Sequence, residues 1–270
     1  MGTISVVIPT IAGREELLDK LLSTIPKIRE VIIVDGEMSL AEKRNYGASQ
    51  AKGKYVLFID DDNYLATGAI ENMIKNWDDS IGVIGMVACY DDKPNIIADG
   101  GSIRNYLTGF TYDNFVNKNV DQLPKSPYEV SEVANAFMIR RQVWRKLKGF
   151  DEYNFPIDLD EADFCMRAKK VGYKIVMNPQ AICYHKSVTY SRLPDFRRPK
   201  NAYFMGRNKI IYQRKHSNLF FYFNYLLFFM PISIGVYCFA LLLRRKPEMI
   251  KHFLKGVCDA LSGRRQNQFQ

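Results

Sequence analysis

Apolar runs alternate with helical patterns along the first half of the chain. Four runs rich in β-branched and aromatic residues predict buried strands at residues 4–8, 31–34, 55–59 and 81–88. The segments between them place apolar residues at helical spacing over residues 14–22, 39–53 and 67–78. Because alternation of this period favours right-handed crossovers, it predicts an α/β fold with a mostly parallel, Rossmann-like central sheet flanked by helices.

The middle of the chain is less regular. Residues 91–133 are rich in Asp, Asn, Pro and Gly, which predicts loops with room for a hairpin. Beyond them, strands are predicted at residues 134–139, 174–177 and 181–184, and helices at residues 142–147 and 161–171. The α/β pattern therefore continues almost to residue 190, and we expect one folded domain over residues 1–195.

The C-terminal region, residues 196–270, departs from this pattern. Residues 219–243 contain no charged side chain, and these 25 residues would suffice for a helix that crosses a bilayer. Pro231 lies near the middle and favours a break into two arms, each too short to cross. We expect a re-entrant or in-plane helical pair, because a single crossing would place one basic flank on the disfavoured side. A buried core helix is the soluble alternative.

The distribution of charge favours a membrane partner over a nucleic acid. The chain has a net charge of +9, but residues 192–270 alone hold 15 Lys and Arg against 3 Asp and Glu. The positive charge therefore brackets the apolar segment, whereas a nucleic-acid enzyme more often carries it on its folded domain. Basic flanks favour anionic lipid, so we expect a position on the cytoplasmic side of the cell membrane and no nucleic-acid partner.

Five cysteines are scattered along the chain without a CxxC spacing. This pattern is typical of reduced thiols in the cytosol and favours neither a disulfide framework nor a zinc site. The first predicted strand begins at residue 4, so no secretory leader is expected.

Asp60, Asp61 and Asp62 directly follow the third predicted strand. In an open parallel sheet, ligands bind just beyond the carboxyl ends of the strands. Adjacent carboxylates repel one another, which costs stability unless positive charge lies among them. A divalent cation carrying a diphosphate would supply that charge. A solvated turn or a helix N-cap is the alternative, because Asn63 and Thr67 suit that role.

Other polar residues occupy comparable places: Asp35 after the second strand, residues 158–163 at the start of a helix, and His185 after the last strand. Together they form an ordered set that resembles family 2 glycosyltransferases of the GT-A fold. The matching motifs, from residue 5 to residue 185, are SVVIPT, IVDG, KRNYG, DDD, KGFDE, DEAD, GY and YH. Arg207 and Asn208, before the apolar segment, resemble a pair in rhamnosyl- and galactofuranosyl-type members, and mannosyltransferases are also similar.

This resemblance implies inverting, metal-dependent transfer of a sugar from a nucleotide-diphosphate donor. Residues 1–100 would bind the nucleotide sugar, and residues 101–195 would form the acceptor side. The donor-binding residues implied are Pro9, Thr10, Asp35, Arg44, Asp60 and Asp61. Of these, Arg44 can either reach the diphosphate or pair with a carboxylate, and Asp61 can also point into the structure. Asp62 is the expected metal ligand, with Asp60 and His185 completing the site. An imidazole ligand suits Mn²⁺ better than Mg²⁺.

The acceptor hydroxyl requires a base, because an alcohol attacks an anomeric carbon poorly until its proton is removed. By register with the family, Glu161 matches the usual catalytic aspartate and Asp160 its acidic neighbour. The glutamate departs from the family's aspartate and reaches about one methylene further, so either the backbone sits back or Asp160 takes the role. Glu161 is the first expectation and Asp160 the second. The alternative for such carboxylates is a helix cap.

A lipid-linked or growing glycan acceptor would explain the apolar tail, which would hold the protein at the membrane plane. Two other functions stay open. One is a nucleotidyltransferase that makes a nucleotide sugar, although the loop after the first strand offers only Ala12, Gly13 and Arg14 as a phosphate cradle. The other is a membrane-bound scaffold of the same fold without turnover.

Overall fold

The computed structural model of the chain describes residues 3–28, 30–75, 77–186 and 198–264. Its strands are β1 (Ile4–Pro9), β2 (Glu30–Val34), β3 (Tyr55–Ile59), β4 (Asn63–Leu65), β5 (Ile81–Tyr90), β6 (Lys93–Asp99), β7 (Ser102–Arg104), β8 (Thr111–Asp113), β9 (Tyr128–Glu129), β10 (Ala136–Arg140) and β11 (Lys174–His185). Its helices are α1 (Glu15–Thr24), α2 (Leu40–Gln50), α3 (Ala69–Lys75), α4 (Arg141–Lys146), α5 (Asp160–Lys170), α6 (Pro199–His216), α7 (Leu219–Asn224), α8 (Met230–Leu243) and α9 (Glu248–Ser262). A 3-10 turn forms at Val120–Gln122 and a π turn at Tyr225–Phe229.

The central sheet has the order β2-β1-β3-β10-β5-β11-β4, with β6 paired to β5 and β9 to β11. Strands β1, β2, β3, β5 and β11 run in one direction, because β10 lies antiparallel between β3 and β5. Their carboxyl ends therefore share one edge. The α/β architecture is as predicted, but the sheet is more mixed than the sequence indicates, because β10 and the short β4, β6 and β9 run the opposite way.

Local sequence explains how α2 begins and why it lies so close to the sheet. Ser39 caps the helix, since its Oγ accepts from the amide of Glu42 at 3.3 Å while a Glu42 carboxylate oxygen accepts from the Ser39 amide at 2.7 Å. This reciprocal pair is the capping box that the sequence predicts. At Gly47 a side chain would overlap Val7 of β1, so glycine allows the helix to approach the sheet.

Strand β11 differs from its prediction in a way that matters for the site. The sequence predicts two short strands, whereas Lys174–His185 is one strand with an irregularity between Asn178 and Ile182. Its last residues pair with β4, which was not predicted, and this register sets His185 opposite Asn63.

The chain forms two compact units. The first contains the described residues of Met1–Ile103, Tyr112–Asp151 and Glu161–Tyr190. The second contains those of Arg104–Thr111, Glu152–Asp160 and Ser191–Gln270. The predicted boundary near residue 195 stays a prediction, since the second unit also takes up two short segments from earlier in the chain.

In the first unit, apolar side chains pack against both faces of the sheet. One cluster includes Val7 and Phe58, together with Ala41 of α2 and Phe164 of α5. The other includes Ile8, Leu57 and Leu21 of α1. Strand β5 is buried at all of its 10 positions, as expected for a continuous apolar strand covered on both faces.

In the second unit, α6 and α9 pack with their backbones in direct contact. A Cβ at Gly206 would overlap the carbonyl oxygen of Phe253, and one at Gly256 would overlap that of Tyr203. The same unit contains the apolar segment, in which α7, the π turn and α8 follow one another as one helical stretch, Leu219–Leu243. The expected pair of separate arms does not form. The π turn just before Pro231 accommodates the proline, since the amide of Met230 bonds to the carbonyl of Tyr225 instead.

Candidate active site

The candidate site lies at the carboxyl edge of the strands that run in one direction. Thr10 follows β1, the three aspartates follow β3, and His185 ends β11. The amide of Thr10 donates to the carbonyl of Val34 at 2.9 Å, which ties the end of β1 to the end of β2. The sequence predicted this clustering, because parallel strands bring their ends to one edge.

Asp62 and His185 form a pair. Nε2 of His185 lies 3.4 Å from Oδ1 of Asp62, and Asn63 donates to the same oxygen at 3.1 Å. The amide of Lys186 donates to the carbonyl of Asp62 at 2.9 Å, which joins the end of β11 to the residues after β3. The pairing of β4 with β11 therefore brings together two residues separated by more than a hundred positions in the chain.

The charges of this pair reinforce each other. Burial acts to lower the pKa of His185, but the hydrogen bond and charge of Asp62 outweigh it, and the pKa is raised. Burial likewise acts to raise the pKa of Asp62, yet His185 and Arg14 together hold it below its usual value. Each partner therefore stabilises the charged form of the other.

The donor set fits a metal that is shared with a substrate. Among the residues that the structure describes, no group of three or more His, Cys, Asp or Glu side chains is arranged to hold a metal ion. Asp62 and His185 supply one carboxylate and one imidazole, and an ion such as Mg²⁺ commonly binds through one or two protein ligands plus substrate phosphates and water. The imidazole would bind in its neutral form, so metal binding would release a proton.

Asp61 is bonded inside the protein. Its side chain is 3% exposed, and Oδ2 accepts from Oγ1 of Thr10 at 2.7 Å. Arg14, just before α1, donates to Oδ1 of Asp61 at 2.5 Å and lies 3.4 Å from Asp62. Asp61 thus supports the loop after β1 and fixes a cation beside Asp62. Its own role in donor binding stays a prediction.

Arg44 joins two of the predicted carboxylates. Its side chain is 0% exposed, with Nη2 at 2.9 Å from Asp60 and Nη1 at 2.6 Å from Glu161. The guanidinium carbon lies 5.5 Å from the ring centroid of Phe137 and 6.0 Å from that of Phe150. Of the two roles that the sequence left open for Arg44, this geometry matches the pairing with carboxylates. A contact between Arg44 and a diphosphate stays a prediction.

The carboxyl group of Asp60 is harder to ionise than that of a free aspartate. Burial raises its pKa to about 6, and the nearby Glu161 and Asp62 add to the rise, while Arg44 opposes it. Arg44 therefore does not fully compensate the negative charge that gathers at this edge. A cation bound beside Asp60 and Asp62 would complete the compensation.

The remaining predicted residues lie around this core. Asp35 is exposed directly after β2, and Pro9 is paired with Val34 across the β1–β2 ladder. Glu161 has 15% of its side chain exposed, whereas Asp160, the first residue of α5, is fully buried.

The family model described as "Glycosyl transferase family group 2" matches residues 55–253, well over half of the chain. The chain belongs to glycosyl transferase family group 2. This match confirms the predicted family and kind of enzyme. The matched region contains the aspartate triplet, Glu161 and His185.

Comparisons with individual proteins agree with membership of glycosyl transferase family group 2. The chain is 25% identical over 113 residues to the minor teichoic acid biosynthesis protein GgaB of Bacillus subtilis (strain 168), a match that covers 42% of this chain and 12% of GgaB. The chain thus spans only a small part of that relative's length.

Solved structures extend the similarity of fold to nearly the whole chain. The mannosyltransferase PcManGT from Pyrobaculum calidifontis, in complex with GDP-Man and Mn²⁺, aligns with a TM-score of 0.57 at 12% identity, over 98% of this chain and 88% of that one. S. aureus TarS 1-349, in complex with UDP-GlcNAc, aligns with a TM-score of 0.57 at 14% identity, over 97% and 82%. These likenesses confirm the predicted GT-A fold.

Three residues lie at the candidate site without having been assigned to it from the sequence: Asp99, Asn135 and Arg14, the last of which was considered only as part of a phosphate cradle. Asn135 donates to the buried carboxylate of Asp99 at 2.9 Å, and its carbonyl accepts from the amide of Asp60 at 3.1 Å. Asn135 has a positive φ of 60°, which asparagine tolerates better than most residues. Asn135 lies inside the predicted strand 134–139, where the sequence does not distinguish it, and it directly precedes the observed β10. Arg14 is recognisable from the sequence as the basic residue of the loop after β1.

Proposed function

We propose that this chain is an inverting, metal-dependent glycosyltransferase that moves a sugar from a nucleotide-diphosphate donor to a lipid-linked or glycan acceptor. The observation that supports it is the meeting of the Asp62–His185 pair with the Asp60–Arg44–Glu161 network at one edge of the sheet. The first can share a cation with a diphosphate, and the second offers a carboxylate as a base.

The donor is held on the Asp62 side. Asp62 and His185 would bind Mn²⁺ or Mg²⁺, which when bound neutralises the growing negative charge of the leaving diphosphate. Asp35 is exposed after β2 and can accept a hydrogen bond from the base or ribose. Thr10 and Pro9 shape the loop beside it, and Asp61 holds Thr10 through the 2.7 Å bond.

The acceptor is activated on the Glu161 side. In a single displacement, the acceptor hydroxyl oxygen forms the new bond to the anomeric carbon while the bond from that carbon to the diphosphate oxygen breaks. The hydroxyl proton passes to the carboxylate of Glu161, and the bond electrons leave with the nucleoside diphosphate. Attack from the face opposite the leaving group inverts the anomeric carbon, and no covalent glycosyl-enzyme forms.

The apolar segment supports attachment to a membrane. By length and composition, Leu219–Leu243 is a candidate membrane span, but only 17% of its most apolar part is buried. A core helix of a soluble protein would be mostly buried. Instead, large apolar side chains are exposed along it: Leu219, Phe220, Phe223, Leu227, Phe228, Ile232, Val236, Phe239, Leu242 and Leu243. An apolar surface of this extent marks a membrane or protein contact.

The packing within the second unit favours an in-plane position over a crossing. The segment is about 37 Å long at about 1.5 Å per residue, yet one face of it packs within the unit at Tyr225, Ser233 and Leu241. Tyr237 bonds to Lys209 of α6. Since α6 and α9 stand before and after the segment and contact each other, the described parts of the two basic flanks lie together. We infer that the exposed face enters the lipid of the cytoplasmic leaflet while the packed face stays with α6.

The catalytic proposal is tested with the purified chain, the nucleotide sugars UDP-GlcNAc and GDP-Man, and release of the nucleoside diphosphate as the readout. We expect release that stops with a chelator and returns with Mn²⁺. Asp62→Ala should abolish the metal response. Glu161→Gln should lower the release of the nucleoside diphosphate, while binding of UDP or GDP, followed by thermal shift, persists. Glu129→Gln, at a surface glutamate, is the matched control. Full activity in both site variants would contradict the assignment.

The membrane proposal is tested by flotation with vesicles that contain anionic lipid. Replacing exposed Phe220, Leu227 and Phe239 by Asp should prevent flotation, whereas Tyr112→Asp, at an exposed tyrosine outside the segment, should not. For sidedness, exposed Cys258 of α9 is labelled with an impermeant maleimide in sealed vesicles, with Cys258→Ser as the blank. Labelling only from the face opposite the catalytic residues would exclude the in-plane position.

A further inference from the structure

The loop before α5 has an unusual backbone. Asp158 and Leu159 both have positive φ, at 65° and 64°. Leucine in particular rarely adopts this left-handed conformation, and two such residues in succession persist only where their surroundings hold them. The loop ends at Asp160, and the next residue along the chain is Glu161.

Two adjacent side chains of α6 hold this loop within the second unit. The amide nitrogen of Asn208 donates to the carbonyl oxygens of Ile157 at 2.7 Å and Asp158 at 2.8 Å. Nη1 of Arg207 donates to the carbonyl oxygen of Asn154 at 2.6 Å. Asn208 is 0% exposed and Arg207 5% exposed, so these bonds are shielded from water.

The pair also fixes its own orientation. Nη1 of Arg207 donates to Oδ1 of Asn208 at 2.9 Å, so the oxygen of the Asn208 amide faces Arg207 and both of its hydrogens face the loop. A carboxylate in this place would keep the bond to Arg207 but lose both donors to the loop. The arrangement therefore needs an amide at residue 208 and a cation at residue 207.

We propose that Arg207 and Asn208 are positioning residues that hold the strained loop and thereby fix where α5 begins and where Glu161 is presented. The inference rests on the proposed function, in which Glu161 takes the proton of the acceptor. It assigns a role to a sequence pair that donor binding and metal binding leave unused. Misplacement of a reacting group by about 1 Å can lower the rate about 100-fold.

The test is Asn208→Asp, with Asn178→Asp as the matched control. Asn178 is also 0% exposed and donates to a backbone carbonyl, that of Asn72, at 2.9 Å, but in the first unit and outside the site. For Asn208→Asp we expect kcat for transfer to fall about 100-fold with an unchanged KM for the donor. Amide hydrogen exchange of peptides covering 152–160 should accelerate. In Asn178→Asp, both kcat and exchange of this loop should stay as in the wild type.

A second, milder variant keeps the test informative if Asn208→Asp does not fold. Arg207→Lys keeps the charge and can still donate to Asn154, and it should give a smaller fall in kcat and a smaller rise in exchange than Asn208→Asp. Accelerated exchange with an unchanged kcat would overturn the positioning role. Unchanged exchange in both variants would overturn the hold on the loop.

These outcomes are separable from failure of the proposed function. If the wild type transfers no sugar, or Glu161→Gln transfers it at the full rate, the proposed chemistry is wrong. The claim that Arg207 and Asn208 position a catalytic Glu161 is then also wrong. The exchange experiment needs no turnover and still decides whether Arg207 and Asn208 hold the loop.

Discussion

Arg44 is the residue whose removal has the most sharply predicted effect. Arg44→Met keeps an unbranched apolar side chain between Phe137 and Phe150 but removes the cation shared by two carboxylates. Asp60 and Glu161 would then face each other without it. We therefore expect a loss of stability larger than that of an ordinary ion pair.

The magnitude follows from burial. The side chain of Arg44 is 0% exposed, and those of Asp60 and Glu161 are 27% and 15% exposed, so solvent screens this network only weakly. Breaking a buried pair by removing one partner costs about 3–5 kcal/mol in the free energy of unfolding. At about 2–4 °C per kcal/mol for a chain near this size, the melting temperature should fall by about 10 °C.

The assay is thermal unfolding in the presence of a chelator, and Arg140→Met is the matched control. Arg140 is almost as buried as Arg44, but its carboxylate partner Asp79 is fully exposed. Its removal therefore leaves no buried charge behind, and the main loss is the 2.6 Å bond to the carbonyl of Asp78, worth about 2 kcal/mol.

A compensating variant isolates the cause. Adding Asp60→Asn and Glu161→Gln to Arg44→Met neutralises both carboxylates and should restore most of the lost stability, because a neutral buried cluster needs no counter-ion. If Arg44→Met lowers the melting temperature no more than Arg140→Met does, the shared cation is not what stabilises this edge of the sheet. The same conclusion follows if the neutral variant recovers none of the lost melting temperature.

Three further predictions concern other parts of the fold. Burial raises the pKa of Asp99 above its ordinary value of 3.8, so the folded protein binds the proton of Asp99 more tightly than the unfolded chain does. The free energy of unfolding therefore falls as the pH rises above about 4. Urea denaturation at a series of pH values should show a smaller fall in Asp99→Asn than in the wild type. Gly256→Ala should lower the melting temperature because its Cβ would overlap the carbonyl of Tyr203, whereas Gly235→Ala, which meets nothing within 4 Å, should not. Ser39→Ala removes the cap of α2 and should cost about 1 kcal/mol in unfolding by urea; an equal loss from the surface change Ser49→Ala, which leaves the cap intact, would refute the capping role.

The sequence was sufficient for features that depend on local patterns. Alternation of apolar runs and helical spacing predicted the order of the main elements, and Ser39 with Glu42 predicted the start of α2. Carboxylates after strands predicted which edge of the sheet carries the site. Each of these is decided by residues close together in the chain, so no knowledge of tertiary contacts was needed.

Features set by pairing between distant strands could not be predicted. The direction of β10 depends on its neighbours β3 and β5, and its own apolar residues are compatible with either direction. Likewise, β4 is only three residues long, and its pairing with β11 is what sets His185 against Asp62. The burial of Arg44 could not be predicted for a related reason. An arginine on a helix is usually solvated, and the contacts that surround this one, including the rings of Phe137 and Phe150, come from distant parts of the chain.

Burial and charge together favour Glu161 over Asp160 as the base. A base must come within about 3 Å of the proton it takes, and Asp160 is fully buried whereas Glu161 retains an exposed fraction of its side chain. In the proposed reaction, Glu161 becomes neutral as it accepts the proton. Arg44 then keeps Asp60 as its counter-ion, 2.9 Å away, so the buried cation is paired both before and after transfer. A single carboxylate on Arg44 would leave it unpaired at that moment, which gives a physical reason for the shared arrangement.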